Sequence, residues 1–438
     1  MRARVYCVYA SIYLFLTILV WPTFNHESSF GEAGWQVWAY QPATVSKPES
    51  RSRLSPIILI PGDGGSRLEA RLNKSQVLHH YCGKKSDDWF DLWLNLSLLV
   101  PFALDCWVDN MKLTYNATTR KTENSPGVEI RVSGFGKTEP VEYIDPAKVM
   151  GTGYFQALVE HLVSLGYERD RTIHGAPYDF RRAPNELSDY YKQLTKLIEN
   201  TYHENGDERV ILVCHSLGCL NSHYFLSKRS NVWKDKFIRS MISLSGVWGG
   251  SVKAMKAFAS GDNFGVLTIP NLSLRKDERT FPSLAYLMPS ADVWPHSQVL
   301  LQNGDKKFTV NDYKQFFRDI NHPTGYEMWL DTRNLTSPLV PPGVEVHCLH
   351  GYKVSTIKAV EYGQGEFPDG KPRITFEDGD GTVNLISLQA CRTWQGKQNA
   401  PVHYKNFTLV DHMTIMSNQA VLDYIAWATS KTLEDTSI

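Results

Sequence analysis

Val210-Ile211-Leu212-Val213-Cys214-His215-Ser216-Leu217-Gly218 is the stretch whose reading decides the fold. Four apolar residues, mostly β-branched, run straight into a small-x-Ser-x-Gly turn. Leu220, Tyr224 and Phe225 then recur at helical spacing. The pattern reads as a buried strand, a tight turn and a helix. A serine on such a bend is a nucleophile elbow, with its Oγ pushed clear of the sheet edge where a base can reach it. Cys214 stands where the usual first glycine would be, and it is small enough to keep helix and strand close. The plainer reading is a serine capping an ordinary helix. What separates the two is whether the chain supplies an oxyanion loop, a base and an orienting acid.

Upstream, Pro56-Ile57-Ile58-Leu59-Ile60 is a short apolar strand that runs into Pro61-Gly62-Asp63-Gly64-Gly65. No Gly-Lys-Ser/Thr follows and the glycines lack dinucleotide spacing, so a phosphate cradle is the poorer reading. In a serine hydrolase of this layout, one oxyanion N–H comes from the residue after the nucleophile and one from a loop after an early strand. Leu217 and Asp63 occupy those places. Residues Tyr154–Leu165 carry helical spacing and end before Gly166. The His174–Arg182 loop pairs Asp179 with arginines and reads as structural. Leu187, Tyr190, Tyr191, Leu194, Leu197 and Ile198 form a helical core stripe, and a further strand is expected near Phe237–Leu244. This alternation predicts an α/β fold, a mainly parallel sheet with helices on both faces. Residues 245–342 break the pattern and are expected to form a cap or lid insertion. Val344–His350 resumes it.

Two late stretches supply the partners. Glu377-Asp378-Gly379-Asp380-Gly381-Thr382-Val383 is an acidic turn after a strand at Ile374–Phe376. It fails as a calcium loop because the twelfth position from Asp378 is Gln389. It fits as a turn that carries an orienting carboxylate, Asp380. His412 follows the apolar stretch Phe407–Val410 and is the base candidate. The order Ser216, Asp380, His412 is that of α/β-hydrolases and differs from the chymotrypsin and subtilisin orders.

The remaining features concern compartment and surface. Arg2 and Arg4 precede an almost wholly apolar Val5–Val20, the layout of a signal peptide, placed at residues 1–26. Residues 27–53 read as a loose lead-in to a hydrolase domain at 54–438. Lysine plus arginine and aspartate plus glutamate both number 46, which gives no charge excess for nucleic acid to bind. In an oxidising compartment the six cysteines outside the signal are expected to pair in part. Six Asn-x-Ser/Thr sequons, at Asn73, Asn95, Asn116, Asn271, Asn334 and Asn406, suit a glycoprotein. The Cys82–Cys106 segment is dense in Trp89, Phe90, Trp93, Leu94 and Leu96. It reads either as a disulfide-closed piece of core or as an excursion, set at residues 67–115, whose apolar face enters a lipid surface. His347 and Cys348 alternate to opposite faces of a strand, which argues against a zinc site there. Cys348 is instead expected to pair with Cys391. No metal or cofactor is expected.

These stretches, from about Ile57 to Ile425, resemble the lecithin–cholesterol acyltransferase family. The similarity is carried by Pro61-Gly62-Asp63, Arg67-Leu68-Glu69-Ala70, Asp105-Cys106-Trp107-Val108-Asp109-Asn110, Gly134-Phe135-Gly136-Lys137-Thr138 and Ala176-Pro177-Tyr178-Asp179. His215-Ser216-Leu217-Gly218, Trp248-Gly249-Gly250, Ala259-Ser260-Gly261-Asp262-Asn263 and Asp378–Val383 continue it in order. The resemblance implies an α/β-hydrolase core, a membrane-binding excursion closed by Cys82–Cys106 and a mobile lid. It implies a Ser216–Asp380–His412 triad and an oxyanion hole at Asp63 and Leu217. It also implies cleavage of glycerophospholipid acyl esters at a membrane or lipoprotein surface, with transfer to water or a lipophilic alcohol such as ceramide or a sterol. Asp63 and the Asp-Gly-Asp-Gly-Thr turn look like the family's lysosomal phospholipase branch. Cys219, the Cys348–Cys391 pair and Trp394-Gln395-Gly396 look like its secreted cholesterol-esterifying branch. Ser245-Gly246-Val247, before Trp248, departs from the Gly-Ala-Pro of the family.

Overall fold

The computed structural model describes residues 54–263 and 269–430. The expected signal peptide at 1–26 and lead-in at 27–53 lie outside the described residues. Six strands form the central sheet: β1 (Ile57–Ile60), β2 (Ile173–Gly175), β3 (Val210–His215), β4 (Ile238–Leu244), β5 (Glu345–Tyr352) and β6 (Val402–Thr408). Their spatial order is β6-β5-β4-β3-β1-β2. Every neighbouring pair is parallel.

The continuous apolar runs are explained by burial on both faces. Side chains alternate along a strand, so Val210, Leu212 and Cys214 of β3 enter one core while Ile211 and Val213 enter the other. Helices Ser188–Glu204 and Leu217–Ser227 cover the first face through Leu194, Ile198, Leu220 and Phe225. Helices Gln156–Ser164 and Gln419–Ser430 cover the second through Leu158, Leu162 and Ile425. The expected Asp179 pair is structural: Arg181 is fully buried, grips Asp179 at 2.8 and 2.7 Å, and also donates to the Met111 carbonyl and Asn124.

Two elaborations sit on this sheet. Leu68–Leu72 pairs on one side with Phe90–Trp93 and on the other with Val128–Val132. Helix Pro101–Met111 follows, and Cys82 and Cys106 are bonded. The sheet pairing carries this elaboration beyond residue 115, because the partner of its first strand lies at 128–132. The expectation that Trp93 and Leu94 present to lipid is corrected here. Leu94 is buried, its N–H held by the Ile144 carbonyl at 3.0 Å. Trp93 packs between Trp107 and Phe180. Trp89, Phe90 and Leu96 are half-buried. The large apolar side chains this region does expose are Phe102, Leu78 and Tyr81, at 70%, 57% and 55%.

The second elaboration spans the interrupted stretch after β4. Helices Val252–Ser260, Pro282–Tyr286, Tyr313–Asp319 and Pro323–Thr332 build a core around Met255, Phe258, Phe316, Phe317 and Met328, while helix Asn271–Glu278 lies against the first of them and sends Leu274 into the other core. This core also takes in Val360 and Tyr362 of strand Val354–Tyr362, which lies beyond residue 342. Strands Val354–Tyr362 and Arg373–Gly379 are antiparallel, and the acidic turn leaves their end. Cys348 and Cys391 form the second disulfide, and Cys214 and Cys219 stay free and buried.

Gly218 lets the helix after Ser216 sit against β1. A Cβ there would lie 2.3 Å from the Pro61 carbonyl oxygen and 2.5 Å from that of Ile60. Both obstacles are backbone, so they cannot rotate away. Gly218→Ala is expected to destabilise the fold by about 1–3 kcal/mol. The check is the denaturation midpoint of the purified variant, and an unshifted midpoint would contradict the close approach.

Candidate active site

The site is assembled at the carboxyl ends of the parallel strands. Ser216 joins β3 to its helix with φ 55° and ψ −125°. For a non-glycine residue this is a strained conformation, costing on the order of 1–3 kcal/mol. It persists because both neighbours are fixed. The Ser216 N–H donates to the Leu244 carbonyl on β4 at 3.0 Å, and residue 217 is already helical. The bend aims Oγ at His412, whose Nε2 lies 2.9 Å away. His412 Nδ1 is 2.8 Å from Asp380 Oδ2. Asp380 is fully buried, and its other oxygen accepts from the Thr382 and Val383 N–H groups at 3.1 and 2.7 Å. Burial pushes the Asp380 carboxyl up, but the His412 imidazole and these N–H donors outweigh it and hold the group below its usual range. The Asp380 carbonyl also accepts the His412 N–H at 2.8 Å, so backbone and side chain orient the imidazole together.

The proposed oxyanion groups border the same point. Leu217 is the first residue of its helix, so its N–H has no intrahelical acceptor. Gly62, just before Asp63, lies so close that a Cβ on it would be 2.7 Å from Ser216 Cβ. The loop is held from two sides. Trp93 Nε1 donates to the Gly64 carbonyl at 2.7 Å, and the Gly62 N–H donates to the Tyr154 hydroxyl at 2.9 Å. Trp93 is thus a support of this loop, a role its place in a Trp- and Leu-rich segment concealed.

Tyr154 and His215 were also hidden, one in a core stripe and one beside the nucleophile. Tyr154 Oη lies 2.5 Å from His215 Nδ1, and His215 Nε2 lies 2.8 Å from the His412 carbonyl oxygen. A carbonyl can only accept, so Nε2 carries the proton and Nδ1 accepts from the tyrosine. The chain therefore runs from the Gly62 N–H through Tyr154 and His215 to the backbone of the base. Burial and the neighbouring His412 push the His215 pKa down to about 3, so the ring stays neutral and the chain keeps one polarity.

Asp63 carries the electrostatic peculiarity of the site. Asp63 is an exposed residue with protein mass beside it. That surrounding mass raises its pKa to about 6 against the pull of Lys253, and Asp262 adds to the rise. Water on the exposed side weakens that effect. Of the six sequon asparagines, Asn73 and Asn334 are exposed, while Asn95, Asn116, Asn271 and Asn406 are partly covered.

A strained serine on a strand–helix bend, with a carboxylate-oriented imidazole at the carboxyl edge of a parallel sheet, defines an α/β-hydrolase. The matching family model is lecithin:cholesterol acyltransferase, over residues 89–419. The chain is 43% identical over 373 residues to mouse lysosomal phospholipase A and acyltransferase, which covers 85% of this chain and 90% of that one. The human protein of that name is 42% identical over the same shares. Mouse phosphatidylcholine-sterol acyltransferase is 41% identical over 387 residues, 88% of this chain and 87% of its own. The chain belongs to the lecithin:cholesterol acyltransferase family, and it is an enzyme of the acyl-hydrolase and acyltransferase class.

Two substitutions separate the roles. Asp380→Asn is expected to lower kcat by about 10⁴, because the imidazole loses its orienting acceptor. Tyr154→Phe leaves the Gly62 N–H and His215 Nδ1 unpaired. At about 1–2 kcal/mol for such a loss, it should lower kcat roughly tenfold with little change in KM. Steady-state kinetics on a soluble ester checks both, and a Tyr154→Phe enzyme of full activity would remove the chain from the account of the site.

Proposed function

We propose that this protein is a phospholipase A and O-acyltransferase that cleaves fatty acyl esters of glycerophospholipids through an acyl-enzyme on Ser216. The observation that supports this most is the Ser216–His412–Asp380 geometry, with 2.9 and 2.8 Å contacts in line. His412 Nε2 takes the Ser216 proton as Oγ attacks the ester carbonyl, and Asp380 steadies the imidazolium. The N–H groups of Leu217 and Asp63 receive the oxyanion. As the tetrahedral intermediate collapses, His412 returns the proton to the departing lysophospholipid oxygen. Water or a lipophilic alcohol then attacks the acyl-serine, giving its own proton to His412, and Ser216 leaves with that proton.

Approach to lipid suits the disulfide-closed elaboration, through Phe102, Leu78 and Tyr81. These side chains flank the Cys82–Cys106 bond in sequence and are exposed. Residues 67–115 thus remain the proposed membrane-binding excursion, with altered contact residues, and 245–342 the proposed cap. No helix among the described residues is long and apolar enough to cross a membrane. A secretory-pathway enzyme of the lysosome fits Asp63 better than a secreted sterol acyltransferase does. An ionised Asp63 beside the developing oxyanion repels it, and the neutral acid does not.

The sign of the pH effect follows from that repulsion. With its pKa near 6, Asp63 is neutral below that value and charged above it, so activity should fall as pH rises through about 6. The assay is acyl release and transfer on phosphatidylcholine vesicles that contain ceramide and cholesterol, at acidic and neutral pH. Acid-favoured free fatty acid and acylceramide, absent in Ser216→Ala, are the expected products. Asp63→Asn should flatten the fall toward neutral pH. Cholesteryl ester made best at neutral pH would assign the protein to sterol esterification instead.

A further inference from the structure

A second cluster lies at the other end of the sheet from the triad. Glu345 and His347 open β5 two residues apart, so their side chains leave the same face. His403 on β6 is the register partner of His347. The two imidazoles stack with centroids 4.6 Å apart and planes 22° from parallel. His347 Nε2 lies 3.2 Å and His403 Nε2 3.0 Å from one oxygen, Glu345 Oε1. The three donor atoms all fall within 4.8 Å of one another. Ser216 follows His215, which is level with Leu244 and hence with Leu349. Glu345 precedes Leu349 by four residues, about 13 Å along a strand, so this cluster takes no part in the chemistry of the triad.

Its second feature is the helix behind it. The Tyr424 hydroxyl lies 3.0 Å from His347 Nδ1, and the Trp427 ring packs edge-on to the same imidazole. A hydrogen bond at one ring nitrogen that fixes the tautomer and the ring's orientation is the support that ligating histidines have in metal sites. His347 is buried, while His403 and Glu345 are about one-third and one-quarter exposed, so solvent reaches the open side of the three donors. A zinc ion with bonds of about 2.0–2.1 Å keeps neighbouring ligand atoms about 3.4 Å apart. Two of the three separations here already lie within a few tenths of that. Cys348 points to the opposite face and is held in a disulfide, so the donors are two imidazoles and a carboxylate, a set suited to zinc among the divalent ions.

We propose that Glu345, His347 and His403 bind a divalent zinc-class cation, with water at the remaining position, and so clamp edge strand β6 to β5. The chain leaving β6 carries His412, so the ion steadies the strand from which the base loop departs while remaining apart from the reaction.

The test uses the full chain stripped with a chelator and titrated calorimetrically with ZnCl2 near neutral pH, with Co2+ as an optical probe. One saturable site of micromolar affinity or tighter and a visible Co2+ band of low coordination number are expected. His403→Asn and Glu345→Gln should each weaken Zn2+ binding at least about tenfold, and Tyr424→Phe should weaken it by about that factor. The metal-free ester hydrolysis of His403→Asn and Glu345→Gln should match wild type, which shows that they fold. His412→Ala should keep the same affinity. No saturable binding, binding that survives His403→Asn, or binding lost in His412→Ala would each overturn the assignment, the last by placing the ion on the triad.

Discussion

A single left-handed serine between a strand and a helix is the constraint on which the catalytic end of the molecule rests. At φ 55°, Ser216 holds a backbone shape that an isolated peptide avoids. The strand before it is locked between β1 and β4, and the helix after it is pressed against the carbonyls of Ile60 and Pro61. Both faces of the sheet must be filled for that grip to hold. The strain is thus sustained by burial spread over two cores, and its result is a hydroxyl that stands clear of the sheet and faces an imidazole.

The same bend ties together loops from distant parts of the chain. His215, one residue before the nucleophile, bonds the backbone of the base loop on one side and Tyr154 on the other. Tyr154 in turn bonds the oxyanion loop. Three segments that share no sequence neighbourhood therefore meet through one neutral, buried imidazole. Trp93 adds a fourth segment, because the disulfide-closed elaboration reaches in to hold Gly64. A shift of that elaboration at a lipid surface would be felt at the oxyanion loop through this indole.

The core of the fold and the residues that meet as Ser216, His412 and Asp380 were legible because each rested on a local pattern. Apolar β-branched runs gave the strands, and the Ser-x-Gly bend gave the elbow. Chain order then separated this arrangement from other serine hydrolases. What stayed hidden depended on side chains meeting across long separations. Trp93 and Leu94 read as lipid-facing because indole and leucine suit an interface as well as a core. Their inward packing is set by Ile144, Trp107 and Phe180, which lie elsewhere in the chain. Tyr154 belonged to a plain helical stripe, and nothing nearby signalled its hydroxyl bonds. The pairing of His347 with His403 depends on the register of two parallel strands that place residues 56 positions apart side by side, which no local spacing encodes.

The measurement that most directly tests the central claim is the capture of the acyl-enzyme. The protein is mixed with phosphatidylcholine vesicles at acidic pH, quenched within the first turnovers and mapped by peptide mass. A fatty acyl mass on the peptide that contains Ser216, absent in Ser216→Ala, is the result expected from the geometry. Acyl mass on another residue, or steady fatty acid release by the Ser216→Ala protein, would contradict it.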